Sequence, residues 1–278
     1  MDRFAAGWAE RAEAEFMYRY ASGAPDADRE TLGMSAHRVA GGVVVSARHD
    51  PTRYWNKALG FGYAEPVTGD LVARILEVYR GERNTDATLQ IAPEALPPDW
   101  DEIVRKYGLT PGARVAKWAA PVDNIEAGDV SALRVAPVEP EHAVRWAEAV
   151  LDGLGKPHAG FVGMLVAAAA SPAAHAFAAW SGDTVVGGGL LHVHGDVGSL
   201  NHGAVLAPYR RQGGQAALIA ARVAVARELG CRWIVTETFQ PDEGESNSSL
   251  NNMRRAGLTK LYVRRNFLWR GDDVGDGL

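Results

Sequence analysis

Cysteine is nearly absent: Cys231 is the only one in 278 residues. One thiol excludes an intrachain disulfide and a cysteine-rich zinc site. Its place in the apolar run GCRWIVTETF predicts a packed core thiol rather than a nucleophile. Basic excess is missing as well, with 29 Lys and Arg against 34 Asp and Glu and a net charge of -5. That balance leaves no electrostatic footprint for nucleic acid. No stretch approaches the ~20 apolar residues of a membrane helix, and the charged start MDRFAAGWAERAEAEF lacks the apolar core of a signal peptide. The expectation is a cytoplasmic protein with no nucleic-acid or membrane partner.

Two familiar phosphate-binding patterns are also lacking. No Gly-Lys-Ser/Thr tripeptide occurs, so there is no P-loop, and no three-glycine dinucleotide fingerprint with its later acidic residue is found. What is present is 47% hydrophobic residues and 23% charged ones, enough to build cores for one large or two moderate domains.

Periodicity divides the chain into two halves of similar α/β rhythm. The first opens on an Ala- and Glu-rich helix to about Ser22. Strand-like runs follow at HRVAGGVVVSARHD and YWNKALGFGYAEP, the second broken by Gly60 and Gly62. The spacing of Leu71, Ile75 and Val78 behind Thr68 predicts a capped helix. DATLQIAP, PPDWDEIVRKYG and ARVAKWAAP continue the alternation, and the polar stretch 121–131 reads as a linker. In the second half, ALRVAPV reads as a strand and EPEHAVRWAEAVLDGLG as a helix ending at Gly155. A further helical run spans Gly160 to Ala170. Three strands follow, turning at Ser181-Gly182-Asp183 and Gly195-Asp196. Ala216 to Leu229 reads as a helix, Cys231 to Phe239 as a strand, and a short helix with two last strands closes the chain. The expected division is 1–120, a linker 121–131, and 132–278, two α/β units in tandem.

The stretch PYRRQGGQAAL carries chemistry. Pro208 cannot donate to a sheet ladder, so the strand ending at Val205-Leu206 must stop there. A helix then opens at Gly213-Gly214 instead of a Ser or Asp cap. A helix N-terminus offers N–H groups without intrahelical partners, and its dipole favours an anion. Glycines there leave room for a phosphate, and Arg210 and Arg211 add positive charge. The alternative reading, two glycines opening an ordinary helix, fits the local pattern equally well.

Leu206, Pro208, Arg211, Gly214 and Ala216 resemble, in order and spacing, the signature of the GNAT N-acetyltransferase superfamily: a strand end, Pro, then Arg/Gln-x-x-Gly-x-Gly/Ala. The strands before it, the helix and strand after it, and NNMRRAGLTKLYV, similar to the closing block of the family with Leu258 in place of Phe, extend the resemblance from about Ala132 to Arg270. It implies a mixed, largely antiparallel sheet flanked by helices. It also implies an acetyl-CoA-dependent N-acetyltransferase, acting on an amine of a small molecule or peptide by direct attack in a ternary complex, as a monomer or homodimer and without a metal.

By the same resemblance, Leu206 holds the pantetheine arm and its N–H serves as oxyanion donor. Arg211, Gln212, Gly213, Gly214, Gln215 and Ala216 hold the pyrophosphate. Ser246 stands where family members place an arm-binding Asn, with Asn247 next to it; either could equally cap the short helix. Direct attack needs a base, an oxyanion donor and an acid for the leaving thiolate. The acid position of the family, a Tyr four residues before the closing Gly, is Met253 here. Tyr262 on the following strand is the substitute, with a core tyrosine as the bland alternative; otherwise water serves. His202, nine residues before Arg211, is the first candidate base, since an imidazole titrates near pH 6.5, and a half-buried structural histidine is the competing reading. Glu237 is the second candidate. His192, His194 and Asp196 invite a metal reading, but a ligand in a hairpin turn converges poorly with two on a strand. The first half lacks the loop and resembles the degenerate N-terminal halves of tandem acetyltransferases. A non-catalytic acyl-CoA-binding protein on the same fold is the alternative function.

Overall fold

A computed structural model describes residues 4–126, 128, 131–242, 245 and 248–271. The backbone falls into two units that interleave along the chain. Met1–Ser22, Arg29–Val115 and Val263–Leu278 make the first; Gly23–Asp28 and Ala116–Tyr262 make the second. The expected division at 1–120 and 132–278 followed chain order, whereas the units gather by packing.

Helix α1 (Phe4–Ser22) belongs to the first unit, and α2 (Asp26–Leu32), a short helix that the periodicity did not announce, is divided between the two at Arg29. Strands β1 (Met34–Val39) and β2 (Gly42–Ala47) form a hairpin. Its turn residues Ala40 and Gly41 have φ of 52° and 77°, the paired positive values that match strand twist. The next strand, β3, covers only Lys57–Leu59. Beyond it Gly60 takes a φ of 80°, and a Cβ there would lie 2.7 Å from that of Ala14 on α1. Helix α3 (Gly69–Gly81) starts as its cap predicts, with the Thr68 hydroxyl accepting from the Leu71 N–H at 3.2 Å. Its stripe Leu71, Val72, Ile75, Leu76 and Tyr79 is buried in a core shared with Leu89 and Trp100. Strand β4 (Asp86–Gln90), helix α4 (Trp100–Lys106) and strand β5 (Thr110–Pro121) follow. The sheet order is β1-β2-β3-β4, then the end of the last strand β11 (Thr259–Arg270) and the start of β5.

A buried charge cluster anchors β11 in this unit. Arg264 is fully buried, with Nη1 2.6 Å from Glu10 and Nη2 2.9 Å from Glu13 and from the Gln90 side chain. Glu10 and Glu13 lie one turn apart on α1, so a single guanidinium bridges both.

The second unit holds β6 (Arg134–Pro137), α5 (Ala143–Leu154), α6 (Phe161–Ala169), β7 (Ala174–Ser181), β8 (Thr184–His194) and β9 (Val197–Val205). Helix α7 (Gly214–Glu228), β10 (Trp233–Phe239) and α8 (Ser248–Arg255) complete it. Strands β6 to β9 pair antiparallel in succession, and β10 joins β9 in parallel after the α7 crossover. Helix α5 ends at Gly155, as expected, in left-handed conformation (φ 64°). Its Trp146 fills the space that a Cβ on Gly188 of β8 would need.

Two expectations are corrected here. A single strand, β11, follows α8 instead of two, and β5 occupies the place next to β10: the order is β11-β5-β10-β9-β8-β7-β6. The segment read as a linker starts as packed structure, with Val122 and Ile125 buried. Arg227 donates to both of their carbonyls, at 2.8 and 2.9 Å. Among the described residues, no helix is long and apolar enough to cross a membrane.

Replacing Arg264 with Ala leaves two buried carboxylates without their cation, so urea unfolding is expected to show a loss of about 3–5 kcal/mol. A loss within the ~0.5 kcal/mol typical of surface substitutions would contradict the anchoring role.

Candidate active site

Strand β9 is the centre of the candidate site because it changes partners along its length. Its parallel register with β10 covers only Val197–Ser199 against Trp233–Val235. The Thr236 hydroxyl then donates to the Leu200 carbonyl at 3.0 Å, and no register follows. From Asn201 onward the two strands diverge, and β9 turns an unladdered edge toward the gap. Such an edge can hydrogen-bond an extended ligand.

Its other edge is irregular at the same level. The registers Gly188–Ala204 and Leu190–Asn201 enclose one residue of β8, Gly189, against two of β9, His202 and Gly203. This is a β-bulge, which re-aims the residues that follow it. His202 sits in it with a φ of 52° and is half-buried.

The bulge decides which amides face the gap. The Leu206 N–H donates to the Val186 carbonyl of β8 at 2.8 Å. The expected oxyanion donor is therefore engaged in the sheet. Amide directions alternate along an antiparallel strand, so the Val205 peptide groups point the other way, toward β10. The Val205 carbonyl accordingly accepts from Arg210 Nε at 3.1 Å. Val205, which the sequence reading passed over, holds the N–H that faces the gap.

The loop after β9 is tightly specified. A 3-10 turn, Ala207–Tyr209, leads through Arg210 to Arg211 (φ 63°) and Gly213 (φ 79°), where α7 begins. Arg211 and Gly213 take positive φ two positions apart, a turn conformation in which successive N–H groups can converge as an anion-binding nest. Arg210 braces the loop by donating to the Gly153 carbonyl at 3.2 Å. The Gln212 carbonyl accepts from the Ala132 N–H at 3.1 Å and the Ser131 hydroxyl at 3.0 Å. No side chain caps α7 at Gly213, and its first amide-to-carbonyl bond is Ala217 to Gly213. The N–H groups of Gly214, Gln215 and Ala216 thus stand at an uncapped helix start, the arrangement that suits a pyrophosphate.

The two glycines serve different purposes from those expected. Gly213 is required by its left-handed φ. Gly214 is buried, and a Cβ on it would lie 2.8 Å from Leu133 Cδ1. Its lack of a side chain lets α7 pack closely against Leu133, just before β6, and Val205 of β9.

The proposed proton carriers are dispersed. Glu237 lies on β10 beyond the last register, with its carboxylate 3.6 Å from the ammonium of Lys117 on β5. Lys117 is itself only 2% exposed. The sequence reading missed Lys117 because it precedes its partner by 120 positions and stands in the other half of the chain. Tyr262 lies on β11, the strand that follows α8, and β5 stands between that strand and β10. Three strand spacings of about 4.8 Å put β11 roughly 14 Å from β9, beyond the reach of a tyrosine. Met253 lies on α8, and Ser246 and Asn247 fall outside the described residues. His192 is buried on β8 while His194 is exposed, and Asp196 faces Arg232 at 3.6 Å. Among the described residues, no group of three His, Cys, Asp or Glu side chains is placed to share a metal ion.

Residues 143–245 match the family model described as the acetyltransferase (GNAT) family. No curated protein sequence matches the chain. Among solved structures, a GCN5-related N-acetyltransferase from Kribbella flavida aligns over 94% of this chain and 98% of its own, with TM-score 0.60 and 18% identity. One from Sphaerobacter thermophilus aligns over 87% and 78%, with TM-score 0.60 and 16% identity. A tandem GNAT protein from the clavulanic acid biosynthesis pathway covers 95% of both chains, with TM-score 0.57 and 13% identity. The diverging strands and the nest both lie within residues 143–245, the segment that matches the acetyltransferase (GNAT) family, in a chain whose fold is shared with solved GNAT proteins, a tandem one among them.

Proposed function

We propose that the chain is an acetyl-CoA-dependent N-acetyltransferase of the cytoplasm, a monomer or homodimer that acetylates the amine of a small molecule or peptide by direct attack in a ternary complex. One observation carries this reading. The opening between β9 and β10 leads, through an eight-residue loop, straight to an uncapped helix start. An opening flanked by backbone amides suits an amide-bearing arm, and a nest at a helix start suits the pyrophosphate at the far end of that arm.

The donor supplies a thioester whose carbonyl carbon the amine attacks. In this reading the chain's residues do the following work. Arg211 and the amides from Gln212 to Ala216 hold the pyrophosphate; the Val205 N–H donates to the thioester oxygen as negative charge gathers there. His202, held at the bulge by its φ of 52°, takes the proton that the attacking amine loses. Glu237, ion-paired with Lys117, holds the wall of the opening rather than competing as base. With Met253 in the acid position of the family and Tyr262 set off by β5, water protonates the departing thiolate.

The decisive experiment mixes the protein with acetyl-CoA and a panel of amines, following thermal stability and free thiol. Donor at about one hundred times its Kd should stabilise the fold by about 2.7 kcal/mol, with thiol release when the right amine is present. Absence of any shift would refute the reading; a shift without thiol release for any amine would instead identify a non-catalytic acyl-CoA-binding protein.

His202→Ala should lower kcat by about a hundredfold and abolish the acidic limb of its pH profile, with donor KM little changed. A retained acidic limb would remove His202 from the base role. Gly213→Val, a β-branched residue forced to φ 79°, should raise donor KM by about tenfold or more. An unchanged KM would mean that the nest does not hold the donor.

A further inference from the structure

Arg222 has no role in the reading above, yet it is the most unusual residue of α7. It is 2% exposed and faces the sheet. Its Nε donates to the Leu218 carbonyl of its own helix at 2.9 Å, and its Nη1 donates to the carbonyls of Leu190 at 3.4 Å and Asn201 at 3.2 Å. All of its hydrogen-bond acceptors among the described residues are backbone carbonyls, and none is a carboxylate. Burial alone pushes its pKa down to about 10. A buried cation without a counter-ion is costly, and an apolar side chain of similar volume would pack the helix with less penalty. The guanidinium must do something at the backbone that a hydrocarbon cannot.

Leu190 and Asn201 face each other in the last register before the bulge. The bulge ends regular pairing directly after this pair, and Arg222 adds a donor to each of its two carbonyls at that point. One guanidinium nitrogen supplies both. The surroundings are cut to fit: a Cβ on Gly189, the residue opposite the bulge, would lie 2.8 Å from Arg222 Cζ. A Cβ on Gly203, within the bulge, would lie 3.4 Å from both Arg222 Nη2 and Gln215 Oε1.

We propose that Arg222 is a positioning residue: with Gly189 it splints the β9 bulge to α7, and so holds His202 and the Val205 N–H in register with the amides at the helix start. The consequence for turnover rests on the acyl-transfer reading; the splint itself does not. Gln215 in the first turn of α7 and Arg222 two turns later touch the same bulge, so donor loop and reacting end are tied through one helix. Lys cannot replace Arg here, because an ammonium is a point donor, whereas the planar guanidinium reaches the Leu218 carbonyl of α7 through Nε and the two strand carbonyls through Nη1 at once.

The test compares Arg222→Met, Arg222→Lys and Gly189→Ala with the parent. Amide hydrogen exchange over residues 199–206 should quicken about tenfold or more in Arg222→Met, with exchange in α5 unchanged. Its kcat should fall about tenfold or more while donor Kd stays within about threefold. Arg222→Lys should recover only part of each loss. If the Met variant does not fold, Gly189→Ala, which displaces the guanidinium, should produce the same pattern. Parent-like exchange in the folded Met or Gly189→Ala variants, or full recovery by Lys, would overturn the proposal. If the parent transfers no acyl group, the function proposed above fails, and the exchange measurement still decides the role of Arg222.

Discussion

Backbone hydrogen bonding along β9 is the constraint to which the rest of the site answers. Every buried N–H and C=O must find a partner, and β9 finds them in three ways over nine residues. At Val197–Ser199 it is laddered on both sides. At His202–Gly203 it bulges against β8. At Val205 its carbonyl turns outward to Arg210. Each change of partner follows from the one before. Because the bulge inserts one residue, the amide that remains laddered to β8 is Leu206, and the one that faces the gap is Val205. A strand without the bulge would present the opposite set.

Close packing sets the second constraint, and glycine is where it shows. Gly188 yields to Trp146 on one face of β8, and Gly189 to Arg222 on the other. Gly214 yields to Leu133. These positions bring α5 and α7 nearer to the sheet than any side chain would allow, and the uncapped start of α7 comes to rest at the end of β9. In the first unit the same closeness recurs at Gly60 against α1. There the helix also brings two glutamates to a single buried arginine, Arg264.

Much of this was legible in the sequence because it is local. The helix from Gly69 starts at the Thr68 cap, α5 stops at Gly155, and the hairpins turn at Gly182 and Gly195, all signals within a few residues of the structure they cause. The turn from Pro208 to Gly214 into an uncapped helix was also legible, since proline, positive-φ glycine and a missing cap act on their own neighbours. The reading went wrong where pairing is long-range. It put a second strand after α8, where β5 fills the place beside β10. It named Tyr262 without seeing that β5 separates its strand from β10, and it overlooked Lys117, Arg222 and Val205. A buried Lys or Arg has no local signature, because its burial depends on strands far away in the chain.

By itself the sequence determined the element types, the sites of most turns and the backbone form of the loop that opens α7, since dihedral preferences and capping act over one or two turns of chain. Only the tertiary structure decided which amide of β9 faces the gap, which strand lies next to β10, and which glycines make room for a helix rather than for a ligand. Those depend on register, and a shift of one residue in register reverses every amide and side chain that follows it.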